Sequence, residues 1–354
     1  MLTLSAALLL ACAPKVVSSA ANPILPAVEA PLYAAAPGYT PSDEVVAGWL
    51  GERAIDETLS GAAGAVALIR AGGGRVDGAA VSWGAYRAGW PHPIDSWSVL
   101  TLPRGEVPPT SFLSDLADEG SSLGVARARG AAGDTWVAVS SWPRITLGAF
   151  PRTLHFGAAF AFPIEDAGAW TDLSLLAVGP DLRIRRDNVA LDVNGEWIAE
   201  LWGTDEADGV YLLARVPLYV GEEAPEDGPF LSVVPAEVEN LSGAILDALN
   251  ELRGLEGAPR LRVNASLNSA AREGLKRRLE TGEVDPEALD RLARLGYPEA
   301  AELTCSGETV TDCLEDFWWS IDDRVRLLQP EYLQVGIGAG IGAELSVVVT
   351  LAAE

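Results

Sequence analysis

Short apolar runs separated by turn-forming residues occupy the middle of the chain. Between 144 and 222, some runs alternate apolar and polar residues and others are apolar throughout. Gly, Pro, Asp and Asn separate the runs. In GEWIAELWG, for example, Trp197, Ala199 and Leu201 fall on one side of an extended strand. Strands at spacings of about 10–14 residues are typical of packed sheets, so residues 143–228 are predicted to form an all-β, immunoglobulin-like sandwich.

A different period governs the last third of the chain. In EVENLSGAILDALNELRG, apolar residues recur at steps of three and four from Val238 to Leu252, which predicts an amphipathic helix. Further helices are predicted over ASLNSAAREGLKRRLETG, stopping at Gly282, over a segment capped by Asp285, and over TDCLEDFWWS. Two strands close the chain. Helices followed by a terminal hairpin predict an α/β/α layered domain over 236–354.

The first residues have the pattern of an export signal. LTLSAALLLAC is apolar but well under the ~20 residues that span a bilayer. Its end, LLAC, looks like a bacterial lipobox, which predicts a lipoprotein signal peptide over 1–11 and lipidation of Cys12. No basic residue precedes Cys12, and an ordinary signal peptide with an incidental cysteine is the alternative. Residues 12–39, rich in Ala, Pro and Ser, are predicted to be a disordered tether.

The net charge of the chain limits the classes of molecule that it is expected to bind. The chain has 50 Asp and Glu against 25 Lys and Arg, a net charge of −25, and the same two-to-one ratio holds before and after residue 237. Because nucleic-acid binding requires a basic face, the sequence predicts no nucleic-acid partner. Membrane contact is predicted through the N-terminal lipid alone.

The chain has three cysteines, and the predicted export determines which chemical state is expected for each of them. With Cys12 taken by lipid, Cys305 and Cys313 remain, and an oxidising compartment favours a disulfide between them. Closing so short a loop stabilises the fold by roughly 2–3 kcal/mol. A metal-binding pair is the alternative, but further ligands are scarce, because the sequence contains only two histidines, His92 and His155, and no further cysteine. No cofactor is predicted.

Three motifs follow one another in the C-terminal block. LRVNASLNSAAREGL supplies a Leu/Ala helix motif, WSIDDR at 319–324 is similar to Trp-x-Ser-Pro-x-His-Arg shortened by one residue, and VGIG at 335–338 gives a Gly-hydrophobic-Gly strand. In this order they resemble the CAP/SCP superfamily of cysteine-rich secretory, antigen 5 and pathogenesis-related proteins, in its bacterial lipoprotein form. The resemblance covers about a third of the chain. It implies an exported protein whose groove meets lipids, sterols, cell wall or partner surfaces.

The chain departs from that family where its metal site is expected. Members with the full cavity carry two His and two Glu that can hold a divalent ion. Here the resemblance aligns Gly274 and Asp323 with the histidines and Glu302 with a glutamate, and the block contains no histidine. Zinc favours imidazole ligands, so the metal site is predicted to be dismantled. Ser320 and Arg324 complete the candidate cavity residues, and neither a catalytic residue nor a bound metal is predicted.

Acidic and aromatic clusters have two interpretations each. Asp312, Glu315, Asp316, Asp322 and Asp323 offer oxygen atoms that suit Ca²⁺, although the adjacent pairs cannot all converge on one ion and acid early in a helix more commonly offsets the helix dipole. Tryptophans around WPHPID, namely Trp83, Trp90 and Trp97, predict either a binding surface or the more common core packing.

The block over 40–142 repeats the spacing of the later domain. Asp56-x-x-Leu59-x-x-Ala62-Ala63 has the same spacing as a later segment, Asn264-x-x-Leu267-x-x-Ala270-Ala271. Similar hairpins, LGVARARGAAGDTWVAVSS and VGIGAGIGAELSVVVTLA, close both blocks. Residues 40–142 are therefore predicted to form a degenerate CAP-like α+β domain, the alternative being a chance likeness of alanine-rich helices. The whole chain is predicted to be a multidomain α+β protein.

These features lead to one functional hypothesis and two alternatives. The first is an exported, lipid-anchored CAP-domain protein that serves as a binding or structural module of the cell envelope, in the periplasm or at the outer membrane, without an intact metal tetrad. Its ligand would be a lipid, the cell wall or a protein. The alternatives are a protease-like or cell-wall-acting hydrolase rebuilt from Glu302, Asp323 and Ser320, and an envelope scaffold whose tryptophans contact other proteins.

Overall fold

The computed structural model describes a chain of three successive units, an α/β unit, an all-β unit and a second α/β unit. The mixed α+β class is as predicted. The described residues are 55–353 with the exception of 75, 114–115, 117–120, 208, 226–234, 283–284 and 343. The predicted signal peptide, Cys12, the tether and residues 40–54 of the first domain lie outside them. None of the described helices is long and apolar enough to cross a membrane.

The first unit packs two helices on a three-stranded antiparallel sheet. Fully buried small side chains of the first helix, Ala62 and Ala63 among them, let it lie close to the sheet. The spatial order of the strands is β1-β3-β2. The elements are α1 (Glu57–Ala71), α2 (Gly78–Ala88), β1 (Ser96–Leu102), β2 (Ser122–Arg129) and β3 (Asp134–Ser141).

The middle unit is all-β, and its layout corrects the immunoglobulin-like prediction. One five-stranded sheet, β5-β12-β11-β8-β9, is faced by two short ribbons, β6–β10 and β4–β7, in place of a second full sheet. Pro151, Gly157 and Pro163 interrupt the early runs, and proline removes a ladder hydrogen bond. The strands are β4 (Thr146–Leu147), β5 (Thr153–Leu154), β6 (Ala158–Phe160), β7 (Ile164–Asp166), β8 (Thr171–Val178), β9 (Ile184–Arg186), β10 (Val189–Leu191), β11 (Gly195–Thr204) and β12 (Val210–Val220).

The third unit has three layers around a four-stranded sheet of order β13-β15-β16-β14. Apolar side chains of α4 and α5 pack on one face with Val348 and Ala352, and those of α3, α6 and α7 pack on the other with Leu303 and Val347. The elements are α3 (Leu241–Leu255), β13 (Arg262–Val263), α4 (Ala265–Thr281), α5 (Ala288–Arg294), β14 (Ala301–Gly307), α6 (Val310–Trp319), α7 (Ile321–Leu328), β15 (Tyr332–Ile341) and β16 (Leu345–Ala353).

Two local predictions in the third unit need correction. Asp285 is not the N-cap of the next helix, because α5 begins three residues later without a side-chain cap. Its buried carboxylate binds Arg277 and Arg291 and also accepts from the backbone N–H of Glu287 at 3.1 Å. Strand β14 was missed although its burial alternates, with Leu303 and Cys305 on the face that α6 covers. The predicted stop at Gly282 is confirmed, since this residue ends α4 in the left-handed conformation.

The repeated spacing in sequence corresponds to repeated contacts between a helix start and a strand. The backbone N–H of Asp56 donates to the carbonyl of Leu123 at 2.9 Å, and the N–H of Asn264 donates to that of Val335 at the same distance. Each capping side chain also accepts backbone hydrogen bonds from the first turn of its helix, α1 or α4. The two α/β units thus begin with the same local arrangement.

Glycine permits the closest approach in both units. A Cβ atom added to Gly124 would lie 2.2 Å from the carbonyl carbon of Leu59, and one added to Gly336 would lie 2.1 Å from that of Leu267. No side chain fits such a gap, because real Cβ contacts are never this short. Both helices can therefore pack this closely only because the neighbouring strand has a glycine, which has no side chain, at the contact point.

We expect Gly336→Ala to lower the free energy of unfolding by about 1–3 kcal/mol or more, because α4 must move away from β15. Gly340→Ala is the matched control, since its new methyl group would meet only side-chain carbons, the nearest at 3.4 Å. Its effect should stay below about 1 kcal/mol. Urea unfolding of the two variants measures the difference, and equal stabilities would contradict the close-contact argument.

Candidate functional site

The predicted disulfide joins the third sheet to the helix that follows it. Cys305 in β14 and Cys313 in α6 are bonded, with Cα atoms 5.2 Å apart, and both are buried. The prediction from the cysteine count is confirmed. The bond fixes α6 against the end of β14, so the side chains on the exposed side of this helix are held in a defined position.

Glu302 and Gly274 lie together, as the family resemblance implies. Glu302 points from β14 toward α4, where a Cβ atom added to Gly274 would lie 3.4 Å from its Oε2 atom. That oxygen is buried without a hydrogen-bond partner. Burial raises the pKa of Glu302 to about 7, while Arg291 lowers it and Asp285 raises it. A single carboxyl therefore occupies this position.

Ser320, Asp323 and Arg324 lie in a different layer. The hydroxyl of Ser320 caps α7 by accepting from the N–H of Asp323 at 3.4 Å. Burial raises the pKa of Asp323, and Arg326 approaches its carboxylate at 3.8 Å. Helix α7 packs on the sheet face opposite to Glu302, because its apolar residues join the cluster of α3 and α6. The alternative hydrolase hypothesis requires Glu302 and Asp323 to face one cleft, and this arrangement does not meet that condition.

Arg324 is a structural joint between two units. It is 1% exposed, and its guanidinium lies 2.7 Å from Glu196 in β11 and 3.0 Å from Glu256 after α3. The same group stacks over the ring of Trp318 at 4.0 Å. These partners leave it inside the boundary between the middle and third units. The prediction that Arg324 lines a cavity with Glu302 is thus corrected.

We expect Arg324→Met to lower the free energy of unfolding by about 3–5 kcal/mol, because two partly buried carboxylates lose their partner. Arg326→Met makes the same change at a residue whose side chain is 47% exposed, and it should cost less than about 1 kcal/mol. Urea unfolding of both variants at pH 7 tests this. Similar losses of unfolding free energy in the two variants would show that the buried ion pairs of Arg324 stabilise the protein no more than an exposed pair does.

A cavity of about 280 Å³ opens where the three units meet. We call it the junction cavity. The first unit lines it from α2 and β1, the middle unit from β12, and the third unit from β14 and α6. Its wall contains five carboxyl groups, Glu308, Asp312, Glu315, Asp316 and Glu344. Its aromatic residues are Tyr86, Trp97 and Trp319.

Two of these carboxyl groups have strongly perturbed acidity. Glu315 is 7% exposed, and neither of its carboxylate oxygens has a hydrogen-bond partner. Burial, followed by the charges of Asp77, Asp312 and Asp316, raises its pKa well above the usual range. Burial also raises the pKa of Asp316 to about 6, although Arg215 opposes the shift. Both carboxyl groups are therefore harder to ionise than free side chains, and Asp316, with a pKa of about 6, titrates just below neutral pH.

Asp312 and Arg215 already have partners in the protein. Asp312 accepts from the backbone N–H of Gly78 at 2.9 Å and from that of Thr309 at 2.8 Å, which links the first and third units. The guanidinium of Arg215 binds Glu200 at 2.8 Å. The single guanidinium on the wall is thus balanced by a carboxylate outside it, and the cavity keeps an excess of acid.

The aromatic residues divide between core and wall. Trp83 and Trp90 are buried, so the core-packing interpretation holds for them. Trp319 stacks on Trp83 at 6.2 Å and meets Tyr86 edge-on at 5.4 Å. Trp97 is half-buried and lines the junction cavity. The acidic helix was interpreted as dipole compensation, and this holds only for Asp312, which forms a capping box with Thr309.

The described residues offer no metal centre. No group of three or more His, Cys, Asp or Glu among them is arranged to hold an ion. The divalent ion that the family resemblance implies does not fit beside Glu302, where Gly274 contributes no ligand and Asp323 lies across the sheet.

Comparison with known proteins gives structural likeness without sequence matches. No protein-family model matches the chain, and no curated protein sequence matches it. An outer surface protein of Borrelia burgdorferi is 13% identical with a TM-score of 0.30, covering 35% of this chain and all of that one. A cysteine-rich secretory protein of Staphylococcus aureus is 14% identical with a TM-score of 0.29, covering 52% of this chain and 66% of that one.

A third solved structure is an extracellular protein of Bacillus anthracis that contains an SCP domain. It is 16% identical with a TM-score of 0.29, covering 47% of this chain and 67% of that one. Two of these three structures are described as a cysteine-rich secretory protein and as a protein with an SCP domain. The likeness concerns the fold, and function has to be argued from the residues of this chain.

Proposed function

We propose that this chain is an exported, lipid-anchored CAP-like protein that acts as a binding or structural module of the cell envelope. The lipobox-like LLAC segment supports the anchor. A buried disulfide supports an oxidising compartment, since thiols stay reduced in the cytosol. The proposed layout is a degenerate CAP-like domain over 40–142, a β domain over 143–228 and a better-preserved CAP-like domain over 236–354.

One observation carries the proposal that this protein binds and does not catalyse. Where the resemblance places the reactive groups, Glu302 stands beside a glycine, and its proposed co-catalyst Asp323 lies on the other face of the sheet. Ser320 uses its hydroxyl as a helix cap. General acid–base work needs two groups that reach one substrate, and this pair does not meet that condition. The hydrolase alternative is therefore not supported.

The repeated helix–strand contact supports the view that 40–142 derives from a second CAP-like unit. Gly124 and Gly336 occupy equivalent positions, and the sheet orders β1-β3-β2 and β14-β16-β15 run the same way. Two such units flank the β unit, and the junction cavity lies where all three meet. The scaffold alternative assigned partner contacts to Trp83 and Trp90, and their burial counts against it.

We expect the purified protein to bind Zn²⁺ no more tightly than about millimolar, because the proposed groove has one carboxyl and no imidazole. Isothermal titration calorimetry measures this directly. Glu302→Gln is the control, since weak binding that persists in it comes from surface carboxylates. Stoichiometric micromolar binding that this substitution abolishes would overturn the loss of the metal site.

We expect Cys12 to carry the lipid when the full chain is expressed in a bacterial host. Metabolic labelling with an alkyne fatty acid should mark the wild type, and Cys12→Ser should lose the label and leave the membrane fraction. Cys305→Ser is the matched control, because it removes a thiol from the disulfide and leaves the proposed acylation site in place. An unlabelled wild type that is nevertheless exported would refute the anchor.

A further inference from the structure

We propose that the junction cavity binds a small organic cation through its ammonium group, an inference that rests on the proposed binding function. The occupant is a primary or quaternary ammonium compound. The cavity lies at the small end of the range of about 300–1,000 Å³ that is usual for ligand sites, which suits a small molecule.

Charge is the first reason for a cation. Five carboxyl groups line the cavity against one guanidinium, Arg215, which Glu200 already neutralises from outside the wall. Like charges this close disfavour one another in a partly desolvated site. A bound cation relieves that repulsion. An anionic or neutral ligand does not.

The second reason is the unsatisfied carboxyl of Glu315. This side chain is more than nine-tenths buried, lines the cavity, and has no hydrogen-bond partner on either oxygen. Leaving a buried polar group unpaired is costly, and proteins seldom keep such a group without a use. Its neighbours Asp77, Asp312 and Asp316 are all acidic, so they offer no positive charge. Any ammonium group supplies the positive charge, and a primary ammonium also supplies the hydrogen-bond donors.

The aromatic wall distinguishes an organic cation from a metal ion. Tyr86, Trp97 and Trp319 line the same cavity as the carboxyl groups. Aromatic faces attract ammonium groups within about 6 Å, and rings together with carboxylates are the usual recognition elements for such ligands. A divalent metal needs converging oxygen ligands, and the described residues provide no such group.

Binding at this position would connect the three units. The cavity wall draws on α2, β12 and α6, so one ligand contacts all of them at once. A ligand that binds only the assembled protein stabilises it by mass action. The ammonium compound should therefore raise the thermal midpoint of the whole chain as well as giving a calorimetric signal.

The test compares choline with its neutral isostere, 3,3-dimethylbutan-1-ol, by calorimetry on the full-length purified protein. Choline should bind at pH 7.5, and the isostere, which has the same shape without the charge, should bind at least about tenfold more weakly. Ethanolamine, which carries a primary ammonium in place of the trimethylammonium of choline, provides the primary-ammonium arm, and the tighter of the two cations identifies the class. Absence of binding by both cations up to about 10 mM, or equal binding of the isostere, would overturn the proposal.

The pH dependence gives a second readout with a defined sign. A bound cation favours the ionised carboxylates, so it lowers the pKa of Glu315 and Asp316, and binding releases protons. Affinity should therefore rise between pH 5.5 and 7.5, as Asp316, whose pKa is about 6, becomes ionised. An affinity that falls over this interval would contradict the assignment of these two groups.

Variants locate the site. Glu315→Gln keeps the shape of the protonated acid, so the protein should fold while choline affinity falls by at least about tenfold. Glu280→Gln, an equal change of charge on the exposed side of α4, should leave affinity unchanged. Trp97→Leu removes a ring from the wall and should also weaken binding. Unchanged affinity in Glu315→Gln would show that the cation binds elsewhere.

Failure of this proposal and failure of the proposed function are distinguishable. If neither cation binds and Zn²⁺ stays weak, the ligand class is wrong while the non-catalytic reading of the Glu302 position stands. If Zn²⁺ binds tightly through Glu302, the proposed function falls whatever the junction cavity does, because Glu302 does not line it.

Discussion

Directional contacts to buried charge hold the helix pair α6–α7 between its neighbours, and the remaining architecture depends on them. At the start of α6, Asp312 accepts a hydrogen bond from Gly78 of the first unit. In α7, Arg324 binds Glu196 of the middle unit. Apolar packing tolerates sliding, whereas bonds of this kind fix the relative position of two surfaces. The junction cavity exists because these contacts set the three units around a space that their side chains do not fill.

The sequence predicts the elements well where a single period persists. Helix α4 follows from its apolar spacing and from Gly282, and the closing hairpin follows from two apolar runs, the first of them spaced by glycines. Prediction fails where a short segment depends on distant partners. Strand β14 alternates apolar and polar residues over seven positions only, and its place in the sheet depends on pairing with β16. The pairing of Asp285 with two arginines is likewise beyond local prediction, because the fold brings them together from separate segments.

The residues of the candidate site also differ in how far the sequence predicts their positions. The contact between Glu302 and Gly274 is consistent with the family resemblance, which aligns these positions with a glutamate and a histidine of one cavity. The separation of Asp323 does not, since the side of the sheet on which α7 packs is decided by Ile321 and Leu327 joining the larger apolar cluster. The junction cavity is beyond reach of any local pattern, because its walls come from segments more than two hundred residues apart. Only the acidic residues of α6 hinted at it.

The Cys305–Cys313 bond has a consequence for when this protein matures. It clamps the helix that carries Glu315 to the edge of the sheet. Thiols remain reduced before a chain leaves the cytosol, so in the exported protein proposed here the clamp closes only after translocation. The disulfide that holds the acidic wall of the junction cavity therefore forms in the same compartment in which the protein would bind its ligand. A nascent chain inside the cell lacks it.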